Sequence, residues 1–521
     1  MVFARIAFFL LGGSLLLAAC QTAPSNTETA VIDSLTPART ELSGQQLAAT
    51  YCASCHLLPN PTLLDKKTWQ NGVLPQMALR LGQSDAQSQE LMQYRNLDEL
   101  KRVVTANIFP ENPTMHPADW QKLVEYYTAN APDILPPQPK HAPVLPAMLL
   151  FNARQSTSAI NPVVTVLRYD SIRRQIWAGD AGMNLYALNK QLRRVDSVEV
   201  YSPVLGVRSE RKGVLDLLSV GLLDPNDQSA GDWQRRKGSN TKPMAKIGNL
   251  QRPVYSTTAD LNRDGLQDIV ICQFGHHFGK LTWHEKQRNG DYREHVLDDV
   301  PGARVALVRD VNHDGWPDVV ALLSQGDEQV AVYHNLRNGQ FKKQILLRFP
   351  AVYGSSFLEM TDIDQDGDLD LIYTNGDNAD YSIILKPYHG IRIFLNDGKF
   401  KFTESFFFPM YGATQTVTRD FDQDGDLDIA AIAHFPDFSQ NPNQSFVYLE
   451  NTGGLTFKPQ TFPMANRGRW FVMDVGDVDQ DGDDDILLGS FYRSAHPKYA
   501  KLMEYWRQPG TGVMLLENTV K

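Results

Sequence analysis

The 521 residues predict a two-part chain: a small all-α domain followed by an all-β propeller of seven blades. Three observations carry this. Residues 41–130 place apolar side chains at helical spacing, as in HPADWQKLVEYYTAN, where Trp120, Leu123, Val124 and Tyr127 share one face. From Met148 the pattern changes to short β-branched and aromatic runs separated by Gly, Asn and Asp. Within that region an aspartate-rich segment recurs five times, its first residues being Asp260, Asp310, Asp362, Asp420 and Asp477, at spacings of 50, 52, 58 and 57 residues. Such a period suits blades of four strands.

The chain opens with MVFARIAFFLLGGSLLLAAC, in which one basic residue (Arg5) precedes an apolar run and small residues lead to Cys20. This is the layout of a signal peptide and is too short for a comfortable spanning helix. Leu17-Ala18-Ala19-Cys20 resembles the lipobox of bacterial lipoproteins. That resemblance implies removal of 1–20, lipidation of Cys20, and an exported protein held to a bacterial membrane by lipid alone, facing the periplasm or the cell surface. Residues 21–40 are polar and turn-rich, and read as a flexible tether.

Composition is that of a soluble protein, 42% hydrophobic and 21% charged, so the rest of the chain has the apolar residues to build cores. A formal charge of −10 argues against nucleic acid or anionic lipid as the main partner. Only four cysteines are present. The lipid anchor takes Cys20, the motif discussed next takes Cys52 and Cys55, and Cys272 in DIVICQF reads as a buried strand thiol.

The motif is Tyr51-Cys52-Ala53-Ser54-Cys55-His56. Covalent haem needs two thiols spaced to reach both vinyl groups and a histidine directly after them for the iron, and Cys52, Cys55 and His56 meet that need. A zinc half-site or a redox CxxC would serve the first two residues, but no second CxxC or paired ligand set accompanies them. Gly44, Leu47 and Tyr51 upstream, with Trp120 and Tyr127 downstream, resemble the first and last helices of c-type cytochromes across residues 41–130. The resemblance implies one haem c and an electron-transfer role with a redox partner protein. For the distal iron ligand, Met77 in WQNGVLPQMALRLG is preferred, with Met115 in PENPTMHP as its rival and Met92 as surface or core. The segment around Met77 resembles that of short cytochrome domains fused to exported dehydrogenases. Leu74, Met77 and Leu81 also share a helical face, so core packing competes for Met77.

Residues 131–147 hold prolines at 132, 136, 137, 139, 143 and 146 and read as a semi-rigid spacer. Beyond it, RRQIWAGDAGMNLYALN and KGVLDLLSVGLLDPNDQSAGDW leave room for two blades before the five aspartate repeats, giving seven over 148–521. Each repeat places oxygen ligands at positions 1, 3, 5 and 9 and glycine at 6: Asp260, Asn262, Asp264 and Asp268; Asp310, Asn312, Asp314 and Asp318; Asp362, Asp364, Asp366 and Asp370; Asp420, Asp422, Asp424 and Asp428; Asp477, Asp479, Asp481 and Asp485. A loop of this kind can curl around a hard cation, so up to five Ca2+ are expected. Position 12 lacks the glutamate of an EF-hand, and Asx-rich turns are the competing reading. The loops resemble the FG-GAP/VCBS repeats of integrin-α-like propellers, which implies structural calcium in a hairpin of each blade. The two loops with Asn262 and Asn312 carry less charge and should bind more weakly.

If those loops join first and second strands, the opposite face is where a ligand belongs. Its long loops bring His276, His277, Tyr381, His389, His434, Arg493 and His496, and the blade beginnings bring Arg252, Arg304, Arg467 and Arg469 toward the axis. No Ser/His/Asp set, phosphate loop or dinucleotide fingerprint is present. The leading expectation is electron transfer, with the propeller binding a partner, a small molecule or a carbohydrate. The alternatives are a quinone-dependent dehydrogenase passing electrons from a sugar or alcohol to its own haem, and an adhesion module with a redox-sensing haem.

Overall fold

The computed structural model describes residues 36–520, apart from 85, 95, 239–241, 379–381 and 494–498. Cys20, the signal segment and most of the tether lie outside the described residues. Among those described, no helix is long and apolar enough to cross a membrane.

The first helix, Gly44–Tyr51, starts on a reciprocal cap: Ser43 accepts from the Gln46 N–H, and the Gln46 side chain accepts from the Ser43 N–H. The last, Pro117–Asn130, starts where His116 Nδ1 accepts from the Ala118 N–H at 3.1 Å and Pro117 occupies a position that needs no donor. These helices cross so closely that a Cβ on Gly44 would lie 2.2 Å from the Lys122 carbonyl oxygen. Only glycine fits there. Leu47, Leu64, Trp69, Leu74, Leu123 and Tyr127 form the core below the crossing.

The β-region is a ring of seven four-stranded antiparallel sheets, as predicted. Blade 1 begins with Val164–Asp170, blade 2 with Val204–Glu210, blade 3 with Pro253–Ala259, blade 4 with Ala303–Arg309, blade 5 with Ser355–Thr361, blade 6 with Ala413–Arg419 and blade 7 with Trp470–Gly476. These first strands stand innermost and face one another across the axis. In blades 3 to 7 every residue of the second strand is buried, Asp268–Gln273 and Asp485–Ser490 among them. This is why the repeat continues as an unbroken apolar run after its last aspartate.

One strand was not legible in the sequence. Phe151–Gln155 pairs with Val513–Asn518 as the outer strand of blade 7, so that blade is built from both ends of the domain. The proline-rich segment is likewise more than a spacer. Leu145 forms a parallel bridge with Gln460, donating to Pro459 O at 3.0 Å and accepting from Thr461 N at 2.8 Å, while Gln138 Nε2 donates to His389 O at 2.9 Å. It is strapped across blades 5 and 6.

The five aspartate loops join first and second strands, and the helical domain sits over the opposite mouth of the ring. It is fastened on two sides. Over blades 2 and 3, Arg102 donates to Asp227 O at 2.9 Å, Glu99 accepts from Asp227 N at 2.6 Å, and Tyr94 Oη lies 3.3 Å from His277 Nδ1. Near blades 4 and 5, Tyr388 donates to Leu63 O at 3.1 Å and Val352 and Ile384 join the helical core.

Candidate functional site

A chamber of about 1300 Å³ lies between the helical domain and the axial mouth. Cys52, Cys55, His56 and Met77 line one wall, and the first strands and second-to-third-strand loops line the other.

On the helical wall, Cys52 opens a single 3-10 turn, Cys52–Ser54, with Cys55 just after it. Two aromatic donors hold the segment that follows: Tyr127 Oη donates to Pro59 O at 3.1 Å and Trp69 Nε1 to Pro61 O at 2.8 Å, their ring centroids 4.5 Å apart. Burial pushes the Cys52 thiol up to about 11, so it stays protonated at neutral pH. His56 Nδ1 lies 3.1 Å from Leu57 O, and a proton on Nδ1 leaves Nε2 as the free lone pair. Two thiols two residues apart, an imidazole one residue on and a thioether on the same apolar chamber form a donor set that fits covalent haem.

The three methionines separate cleanly. Met77, on the helix Leu74–Arg80 that follows a wide π-turn at Trp69–Val73, lines the chamber. Met115 does not; it is 1% exposed in the core beside Leu47, Trp69 and Leu123. Met92 is 77% exposed. Leu74 takes the core position that competed for Met77.

On the propeller wall, Asp227 organises the 273–280 loop. Its Oδ1 accepts from the N–H groups of His276, His277 and Phe278 at 3.1, 2.7 and 2.8 Å, and His277 Nδ1 lies 2.8 Å from Oδ2. Burial alone would raise this carboxyl, yet the His277 and Phe278 bonds outweigh it and hold it below its usual range. Asp227 itself was not singled out, because a lone Asp in SVGLLDPNDQ carries no spacing signal. Burial and the adjacent His277 push His276 down to about 4, so its ring is neutral. Glu328 is fully buried yet borders the chamber; burial pushes it up to about 7 although it accepts from Ser355 N at 2.7 Å and Gly354 N at 3.0 Å.

Arg252 and Arg304 border the chamber as expected, but their donors are turned to carbonyls of Leu223, Gly275 and Ser356. Arg467 and Arg469 do not border it: Arg467 reaches Tyr505 Oη at 3.0 Å, and the buried Arg469 binds the carbonyls of His434 and Arg493. The short turn at Ala465–Arg467 diverts them. His389 and His434 are buried, and burial holds both well below the usual imidazole range. Tyr381 and His496 lie outside the described residues.

At the opposite end, the aspartate loops share one geometry. Asp260, Asp310, Asp362 and Asp420 each accept from the N–H of the glycine five residues on, at 2.8–3.1 Å. The position-9 aspartates, all 0% exposed, clip each blade: Asp485 accepts from Val478 N at 2.9 Å and Asn518 N at 2.8 Å, and Asp370 from Ile363 N at 3.1 Å and Asn396 N at 2.9 Å. Carboxylate oxygens converge within 4.8 Å in three loops, through Asp362, Asp364 and Asp370; Asp420, Asp422 and Asp424; and Asp477, Asp479 and Asp481. Buried oxygens of Asp362, Asp420 and Asp479 have no hydrogen-bond partner, which suits a cation. In the two asparagine loops other residues supply partners, Asn262 Nδ2 donating to Glu285 at 3.1 Å and Arg337 pairing with Asp314 at 3.0 Å, although one buried oxygen of Asp318 has no hydrogen-bond partner.

The loop glycines carry φ from +85° to +105°. At Gly425 a Cβ would meet nothing within 4 Å, so Gly425→Ala tests backbone strain alone. Its expected cost is about 1–2 kcal/mol, read as a lower denaturation midpoint at unchanged m-value.

Residues 310–373, 374–431 and 420–488 match the model of an FG-GAP-like repeat. No curated protein shows significant sequence similarity to the chain. Among solved structures, the ring is similar to the WD40 domain of Neurospora crassa Pan2, at 10% identity and TM-score 0.43, covering 73% of this chain and 98% of that one. It is also similar to the β-propeller domain of Myceliophteria thermophila Cps50 (Swd1), at 9% identity and TM-score 0.44, covering 71% and 100%. The β-region is thus a seven-bladed propeller carrying FG-GAP-like repeats.

Proposed function

We propose that the protein is an exported, lipid-anchored monohaem cytochrome of the c type that works in electron transfer, its calcium-stabilised propeller binding the ligand or partner. The observation that carries this reading is the shared chamber: Cys52, Cys55, His56 and Met77 line the same cavity as the propeller's axial mouth. Cys52 and Cys55 would hold the haem, with His56 and Met77 on the iron and Cys20 carrying the lipid. When bound, the haem supplies one-electron chemistry. The chain's own residues do the rest: Trp69 and Tyr127 fix the attachment segment, and Leu57 O orients His56. Calcium would sit in the loops of blades 5, 6 and 7, far from this chemistry, as a structural ion.

The test is denaturing extraction of the mature protein with acidified acetone, followed by its visible spectrum. Haem is expected to stay with the chain and to be reducible by dithionite, and Cys52→Ala with Cys55→Ala should abolish covalent retention. Colour that leaves with the solvent, or a colourless protein made in a host competent for haem attachment, would overturn the reading.

A further inference from the structure

The propeller wall of the chamber holds a positioned imidazole, His277, whose Nδ1 meets Asp227 and Tyr94 and whose Nε2 has no role above. His277 Nδ1 faces Asp227 Oδ2 at 2.8 Å, and that carboxylate is itself immobilised by three consecutive backbone N–H groups. With the Nδ1 proton directed at a carboxylate, Nε2 is the basic nitrogen. Among the described residues Nε2 hydrogen-bonds no protein atom, and the ring borders the chamber. A buried imidazole with one nitrogen locked and the other open to a cavity is arranged to accept a proton or hydrogen bond from something in that cavity.

The rest of the wall says what that something is. Phe274, Phe357, Phe471 and Phe491, from blades 3, 5 and 7, all border the chamber only partly buried, leaving ring surface to pack against a ligand. Four arginines border the chamber from the propeller: Arg252 is engaged by carbonyls, Arg304 by a carbonyl and Asp377, Arg168 by Asp474, and Arg208 by Glu210 and Asp216, so each guanidinium already has an acceptor that a free anion would have to displace. A sugar would need many polar partners, whereas the lining is predominantly apolar.

We infer that the chamber is a binding site for a small hydroxylated aromatic molecule, of the phenol or hydroquinone class, whose hydroxyl donates to His277 Nε2 while its ring lies among the axial phenylalanines. This names the ligand class of the chamber and rests on the functional reading above only for the chamber's second wall.

The experiment is isothermal titration calorimetry of the full-length, haem-loaded protein with hydroquinone, phenol and, as a control, glucose. His277→Asn keeps a donor near the Nδ1 position, facing Asp227, and removes Nε2; His277→Gln places its amide near Nε2. Hydroquinone should bind the wild type, bind His277→Asn at least tenfold more weakly, and bind His277→Gln within about threefold of wild type. Equal affinity for the wild type and His277→Asn overturns the assignment, as does binding of glucose without hydroquinone, or no heat from either aromatic. Protein that binds hydroquinone but carries no haem by its spectrum upholds the ligand class while overturning the haem reading, so the two fail separately.

Discussion

Chelation should lower the thermal midpoint of the full-length protein by about 10 °C, and millimolar calcium should restore it. The size follows from three loops in which carboxylates converge, each worth about 2.7 kcal/mol when free ion stands at 100 times its dissociation constant. For a domain of this length each kcal/mol moves the midpoint by about 1–2 °C. The sign with pH is also determined. In the ion-free protein burial pushes Asp485 up to about 7, with Asp370 and Asp428 up to about 6, all above their value in an unfolded chain. Groups raised in this way destabilise the fold fully above those values, and the penalty fades as pH falls toward 4. The buried histidines His276, His389 and His434 cost stability over the same fall in pH with or without the ion, so the sign is read from the difference: the midpoint gained from calcium should be smaller at pH 5.5 than at pH 7.5. Calcium-loaded protein should melt lower at pH 5.5, because protons compete for the ligands. Calorimetric scans at both pH values, with calcium and with chelator, read all four outcomes; identical midpoints with and without chelator would remove calcium from the account. Asp422→Asn and Asp479→Asn should each shrink the calcium-dependent gain, whereas Asp264→Asn should change it little, since its loop is closed by its own hydrogen bonds.

Those loops were the most legible part of the chain, because their information is local. Five copies of the same spacing predict the turn, the strand that follows it and five of the seven blades without any long-range contact; the other two rest on the room left upstream. What the sequence withheld was everything set by partners distant along the chain. Phe151–Gln155 reads FNARQ, with only two apolar residues and no β-branched one, and is a strand because Val513–Asn518 offers it an edge. Gln365, Gln423 and Gln480 occupy left-handed backbone at φ of 62°, 59° and 71°, imposed by the loop closing around its aspartates rather than by their own preference. Asp227 is the centre of the docking joint, and nothing in its neighbourhood marks it. Arg469 directly precedes an innermost strand as Arg252 does, yet its donors go to the carbonyls of His434 and Arg493, and Arg467, at the end of a 3-10 turn, goes to Tyr505. The chamber residues were found only where they sat in ring-rich loops, as His276 and His277 do in QFGHHFGK.

For the proposed haem, burial favours one of the two methionines that spacing left open. A thioether ligates iron only if its sulfur reaches the haem, and Met77 borders the chamber with Cys52, Cys55 and His56 while Met115 is 1% exposed within the core. Met77→Ala should leave haem attached and the fold intact, since its side chain lies at the chamber rather than in the core. It should lower the reduction potential by on the order of 0.1 V, because a thioether favours ferrous iron over the water or hydroxide that would replace it. Met115→Ala should do the reverse. It opens a cavity beneath Trp69 and Leu123 and is expected to cost about 2–5 kcal/mol of stability with little change in potential. Spectroelectrochemical titration paired with thermal melts of both variants separates the roles. A potential that falls in Met115→Ala and holds in Met77→Ala would mean that the last-helix methionine binds the iron, and that the helix bearing Met77 only shapes the chamber wall.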